Sequence, residues 1–224
     1  MKTVLSTRIL TLAQKELLLN SGIGFVEYDA LSISLLDFNI PDNIEHVIVT
    51  SKNGAKSFLK AFTNISNSVA KEVFHFYCVG KKTKFFLEEA GFLVAESTSS
   101  ASELGICIIS NYKTNRFIFI SGNWRRDDIP ELLSKNNIRY TEIQGYTTSF
   151  NTKKFDTVFD GYLFYSPSGI RSFLEANNLS DSPVFCIGET TAQEAKKHSE
   201  NIIVANKPTV ENVLVQVAKH FKEV

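Results

Sequence analysis

The chain is poor in the residues that staple small proteins and mark redox or metal centres. Its 224 residues hold three cysteines, Cys78, Cys107 and Cys186. They are far apart, odd in number and set in apolar runs such as His75-Phe76-Tyr77-Cys78-Val79. That pattern argues against a disulfide framework and reads as small buried strand residues in a reducing compartment. No CxxC pair occurs, and His46, His75, His198 and His220 share no ligand spacing, so no zinc site is expected. An excess of either charge is also missing: 24 Lys and Arg balance 24 Asp and Glu. A nucleic-acid protein built on a global basic field is therefore not expected. No apolar run approaches the ~20 residues that cross a bilayer. Met1 to Ser6 leads directly into Thr7 and Arg8, without the apolar region of a signal peptide. The expectation is a cytoplasmic protein with no membrane contact.

The common cofactor motifs are missing too. Gly22-Ile23-Gly24 has no third glycine and follows a helical stretch, so the dinucleotide fingerprint fails. There is no GxxxxGK[ST], and Tyr165-Ser166-Pro167-Ser168-Gly169 does not meet the G-x-S-x-G spacing of a nucleophile elbow. What the chain has is 43% hydrophobic and 21% charged residues, the balance of a folded globular protein. Its length suits one large domain or two small ones.

Its most informative feature is an internal repeat. Thr50-Ser51-Lys52-Asn53-Gly54-Ala55-Lys56-Ser57-Phe58-Leu59 aligns with Tyr165-Ser166-Pro167-Ser168-Gly169-Ile170-Arg171-Ser172-Phe173-Leu174, 115 residues on. Further along, Cys78-Val79-Gly80-Lys81-Lys82-Thr83 matches Cys186-Ile187-Gly188-Glu189-Thr190-Thr191 at an offset of 108. The two copies run over about 1–110 and 116–224. In each, short apolar runs such as Val47-Ile48-Val49 and Tyr162-Leu163-Phe164 end at a serine turn and give way to a helical pattern. Strands alternating with helices imply α/β architecture, with parallel sheets flanked by helices in two small lobes related by a pseudo-twofold repeat. Ligands of such sheets bind beyond the carboxyl ends of the strands, and a cleft between the lobes is the default site.

Ser51, Asn53, Ser166 and Ser168 stand between a strand end and a helix start. The plain reading of each is N-capping. Capping is compatible with anion binding, because helix N-termini offer N–H donors and a positive dipole end. Gly80 and Gly188 repeat the device, since glycine lets a ligand approach the backbone closely. Donors near Ser51, Thr83, Ser166 and Thr191 would suit a ligand with many carboxylates. Lys52, Lys82, Arg8, Arg125, Arg126, Arg171 and Lys207 read either as local positive charge for it or as solvated surface charge.

Taken in order, Val47 to Gly54, Val79-Gly80 with Thr83, Tyr165 to Gly169, Ile187-Gly188-Glu189-Thr190-Thr191-Ala192 and Pro208-Thr209 resemble the uroporphyrinogen-III synthase family over nearly the whole chain. Ser6-Thr7-Arg8 and Gly122 to Arg126 also resemble family positions. In the second of these the usual glycine before arginine is replaced, which leaves Arg125 and Arg126 as alternatives. The resemblance implies a two-stranded connector at 31–37 and 146–151, one lobe of 1–30 plus 152–224, and another of 38–145. It implies conversion of hydroxymethylbilane to uroporphyrinogen III, with loss of water and inversion of the terminal ring, without metal or organic cofactor. It places Tyr146 as the catalytic tyrosine, since a phenol stays protonated at neutral pH and can assist a departing hydroxyl. Arg8, Ser51, Lys52, Asn53, Gly80, Thr83, Arg126, Ser166, Ser168, Gly188, Thr190 and Thr191 would bind substrate. A monomer is expected, with transient contact to the preceding pathway enzyme. The rival reading is a non-enzymatic two-lobe protein or regulator that traps a small anion.

Overall fold

A computed structural model describes residues 1–64 and 70–222. In chain order its elements are β1 (Lys2–Ser6), α1 (Leu12–Asn20), β2 (Ile23–Glu27), β3 (Leu31–Leu35), β4 (His46–Val49), α2 (Lys52–Thr63), β5 (His75–Val79), α3 (Lys81–Glu89) and β6 (Leu93–Thr98). They continue with α4 (Ala101–Asn111), β7 (Arg116–Gly122), α5 (Asp128–Lys135), β8 (Arg139–Phe150), β9 (Gly161–Phe164) and α6 (Pro167–Leu174). The last are β10 (Val184–Cys186), α7 (Glu189–Ala195), β11 (Ile202–Val204) and α8 (Val210–Lys222). The chain divides into two compact units, Met1–Ser32 with Ser149–Val224, and Ile33–Thr148.

The first unit is built on a parallel sheet of order β11-β10-β9-β1-β2. Val4, Leu5, Leu163, Phe164, Val184 and Phe185 are buried within it. Such strands read as unbroken apolar runs because helices cover both faces of the sheet. Phe155, Phe159, Tyr162, Phe164 and Phe173 pack on one face, edge-on or tilted except for the stacked Phe155 and Phe173, while α1 and α8 close the other with Leu18, Val213, Leu214 and Val217.

The second unit has a sheet of order β3-β8-β7-β4-β5-β6, with β8 through β6 paired in parallel. Helix α2 buries Ala55, Phe58 and Ala61 and leaves Lys56 and Lys60 to solvent. Phe58 meets the rings of Phe74, Phe76 and Phe92 at 5.0–5.7 Å between centroids. Cys78 and Cys186 are buried strand residues, and burial raises both thiols. Cys107 departs from that expectation: it lies half-buried on α4, whose inner face is filled by Leu104, Gly105 and Ile108.

The two copies are internally alike at the point where the chain passes between units. In the second unit, Leu36 N donates to Gly145 O at 2.8 Å and the buried Ser57 hydroxyl donates to the same carbonyl. In the first, Asn151 N donates to Ala30 O at 2.9 Å and the Ser172 hydroxyl donates to it at 2.6 Å. Leu36, Gly145 and Ser57 each have their counterpart, Asn151, Ala30 and Ser172, 115 positions away.

Candidate functional site

In the second unit the serine turn after β4 becomes the start of α2. Ser51 is extended, with φ −151° and ψ 156°, and its Oγ accepts the Gly54 N–H at 3.1 Å. This is the N-cap expected of a serine there. The same hydroxyl lies 3.0 Å from Tyr146 Oη.

Tyr146 reaches that position through an irregularity in β8. Ser121 of β7 pairs with Gln144, whereas the next residue, Gly122, pairs with Tyr146, so Gly145 is an extra residue. A one-residue bulge re-aims the side chains that follow it. The Tyr146 ring then occupies the space that a Cβ on Gly122 would take. A cavity of about 400 Å³ opens beside it, lined among others by Thr50, Val79, Ser100, Trp124, Arg126 and Tyr146.

The two arginines that the sequence leaves as alternatives differ sharply in their surroundings. Arg125 is held by Glu142 and Asp127, and the Glu142 hydrogen bond is the main reason its guanidinium is driven further towards the charged form. Glu142 also accepts the buried Ser121 hydroxyl at 2.6 Å. Arg126 is 86% exposed and meets one carboxylate, Asp128, at 2.8 Å. Both line the cavity. Arg125 serves chiefly to hold its loop, and Arg126 is the more available cation.

The remaining expected residues divide by burial. Lys52 is exposed, with its ammonium 4.9 Å from the centre of the Phe86 ring. Asn53 belongs to the first turn of α2 and does not cap it. Gly80 is the cap residue of α3 and has φ +87°, a conformation that favours glycine. Thr83 is 4% exposed, and its N–H is taken by Gly80 O at 3.0 Å.

The first unit repeats the turns. Ser166 caps α6 through Gly169 N at 3.0 Å and lies 3.1 Å from Ser168 Oγ, so Ser168 supports the cap without being one. Pro167 occupies the first turn and offers no N–H. Arg8 is exposed, and its carbonyl accepts the Ser6 hydroxyl at 2.6 Å. Tyr165, 3.3 Å from Ser6 Oγ, is pushed up to about 12 by burial. Gly188 has φ −176°, extended backbone that any residue adopts, so it matches Gly80 in place and not in conformation. Thr190 is exposed, while Thr191 is 3% exposed with its N–H bonded to Gly188 O at 3.1 Å.

Donors were expected near Thr83 and Thr191, and both residues bond their own N–H within the turn. Each closes a turn onto the preceding glycine, which leaves the first two residues of each helix as donors. The sequence reading also missed Ser99, Ser100, Ser102 and Trp124, all on the cavity wall. Ser100 caps α4 through Glu103 N at 3.2 Å, and Ser99 Oγ reaches the Glu103 carboxylate at 2.8 Å. The S-x-x-E spacing of Ser100 and Glu103 was the available signal.

Duplicated parallel α/β units, with capped helix starts at the strand ends and a phenol fixed against one cap, define a protein class whose ligand groups gather at the carboxyl edges of its sheets. Residues 15–214 match the family model described as uroporphyrinogen-III synthase HemD, and the chain belongs to that family. It is 27% identical over 187 residues to the porphyrin biosynthesis protein HemD of Ruminiclostridium josui, covering 75% of this chain and 36% of that protein. It thus spans about a third of that relative's length. It is 27% identical over 209 residues to the uroporphyrinogen-III synthase of Saccharomyces cerevisiae, covering 79% of this chain and 76% of the yeast protein. Its fold is shared with the uroporphyrinogen-III synthetase of Helicobacter pylori 26695, at a TM-score of 0.75 and 16% identity over 98% of this chain and 100% of that one. A mutant uroporphyrinogen III synthase of Thermus thermophilus aligns at a TM-score of 0.65 and 11% identity over the full length of both chains.

Proposed function

We propose that this protein cyclises hydroxymethylbilane to uroporphyrinogen III, with loss of water and inversion of the terminal ring. The observation that carries the reading within the family is the Tyr146 phenol, held 3.0 Å from the Ser51 cap and lining a cavity beside Arg126. In this proposal Tyr146 gives its proton to the substrate's terminal hydroxyl as the C–O bond breaks, so that the oxygen departs as water. The neighbouring pyrrole nitrogen supplies the electrons, keeps its N–H and leaves an azafulvenium cation. Ring closure through a spirocyclic pyrrolenine releases a proton, which restores the phenol. No net acid or base is consumed.

Arg126, Lys52, Asn53 and the turn at Gly80 are proposed as carboxylate contacts in the second unit, with Thr83 shaping its turn from within. Arg8, Ser166, Ser168, Gly188 and Thr190 are proposed as a separate set in the first unit, where Thr191 has the same inner role as Thr83. Positioning is central, because unassisted closure gives the uninverted isomer. None of the described helices is long and apolar enough to cross a membrane. Work as a cytoplasmic monomer, with transient contact to the enzyme that supplies the bilane, belongs to the same proposal.

The test is to supply enzymatically generated hydroxymethylbilane, oxidise the products and separate the isomers. Isomer III is expected, with or without a chelator. Isomer I alone, at the rate of the blank, would overturn the reading.

A further inference from the structure

We infer that Ser51 is a positioning residue that aims the Tyr146 proton at the substrate and holds the phenolate left behind. This rests on the general-acid reading of Tyr146 and deepens it. The cap, the phenol contact and the register of β8 carry the argument. Ser51 Oγ already accepts the Gly54 N–H at 3.1 Å, so its own proton is the group left to place. The acceptor at hand is Tyr146 Oη, 3.0 Å away. With Ser51 donating, the phenol oxygen is an acceptor towards the serine, and its proton is free to turn to the cavity that Tyr146 lines.

The opposite sense, with Tyr146 donating to Ser51, would spend the phenol proton inside the protein. The observed cap selects against it, because accepting the Gly54 N–H makes the Ser51 hydroxyl a better donor. The chain of donors then runs one way, from the backbone of α2 through Ser51 to Tyr146 and on to the leaving hydroxyl.

The same chain serves after proton transfer. The phenolate oxygen keeps the Ser51 hydrogen bond, which strengthens once its acceptor is charged. It also lies at the N-terminal end of a 12-residue helix, where the macrodipole favours negative charge. Gly122 fixes the other side, since the Tyr146 ring lies where a side chain would begin. The phenol is thus held by its oxygen and by its ring. Ser51 was expected to touch substrate; here its hydroxyl is committed to the protein, and its effect passes through Tyr146.

The experiment is a double-mutant cycle on isomer III formation with Ser51→Ala, Tyr146→Phe and the pair, each checked for an unchanged melting transition. Ser51→Gly serves as the alternative should the alanine variant fold poorly, since glycine is tolerated at an N-cap. Ser51→Ala is expected to lower kcat about tenfold with KM little changed, the scale of one hydrogen bond to a charged group. Tyr146→Phe is expected to lower kcat by up to about 10²-fold. In the Tyr146→Phe background, removing the Ser51 hydroxyl should cost less than about twofold, because there is no proton left to aim. Ser51→Thr, which keeps cap and donor, should restore most of the wild-type kcat. An equal loss on removing Ser51 in both backgrounds would overturn the inference while leaving Tyr146 as the acid. Wild-type kcat in Tyr146→Phe would remove the general-acid reading and this inference with it.

Discussion

Gly122 and the ring of Tyr146 fill one space: across β7 and β8 there is no room between them for a methyl group. Any side chain at 122 must drive the ring off its seat, and with it the phenol oxygen away from Ser51. Gly122→Ala should therefore lower kcat about as much as Tyr146→Phe and destabilise the fold by about 1–3 kcal/mol, the usual cost of overpacking. Steady-state kinetics beside urea unfolding checks both. Wild-type turnover in Gly122→Ala would show that the seat is irrelevant to the chemistry.

Trp124 is the chain's single tryptophan, about half exposed on the wall of the cavity that Tyr146 and Arg126 share. Its emission should change on saturation with uroporphyrinogen III, which gives a binding assay that needs no turnover. Arg126→Gln should weaken that binding about three- to tenfold and leave kcat nearly intact. An exposed cation contributes on the order of 1 kcal/mol to an anion contact. An emission spectrum indifferent to saturating product would place the ligand elsewhere.

Ser57 and Ser172 provide a paired stability test. Each buried hydroxyl donates to a connector carbonyl, Gly145 O or Ala30 O, that also accepts a backbone N–H from Leu36 or Asn151. Alanine at either site leaves the carbonyl with one partner, so the loss should stay near ~0.5–1.5 kcal/mol and be similar for both. Chemical denaturation measures it. A loss confined to one serine would break the equivalence of the two halves.

Glu27 sets an acid limit. Burial opposes its charge, yet the hydrogen bond from Lys15, the Leu10 N–H at 2.8 Å and the Lys15 charge together hold its carboxyl below the ordinary glutamate value. A lowered native pKa means that the unfolded chain takes up the proton first as pH falls. The stabilisation is therefore complete above about 4.5 and fades as pH drops through the lowered native value. Glu27→Gln should lower the melting temperature at pH 7, and the gap to wild type should narrow as pH falls below about 4.5. A gap constant with pH would mean that packing, not charge, is lost.

Much of the fold is legible because the repeat copies local grammar twice. Ser51 and Ser166 share a cap, and Val47–Val49 and Gly161–Phe164 share a buried parallel strand, each readable from a short local stretch. The site is less legible because its contacts join distant segments. Nothing near Gly122 announces that a ring from position 146 will fill its missing side chain. The bulge that aims the ring depends on pairing between β7 and β8. The neighbours Arg125 and Arg126 look alike until Glu142, 17 residues on from Arg125, claims one of them. Thr83 and Thr191 sit in helix-start motifs that resemble ligand turns, and the turn geometry leaves both residues buried.

In the first unit, β1 lies between β2 and β9, and Val4 pairs with Gly161. A ribosome emitting this chain thus delivers the middle of one sheet long before its neighbour exists. The second unit is continuous in sequence and can complete its sheet first. Until β9 emerges, β1 and β2 wait as a two-stranded ribbon with an unpaired apolar edge, the kind of surface that recruits wrong partners. The crossing that lets each repeat copy lend strands to both units thus makes the middle of synthesis the vulnerable interval. A chaperone that shields the nascent chain should matter most between the translation of residues 30 and 164.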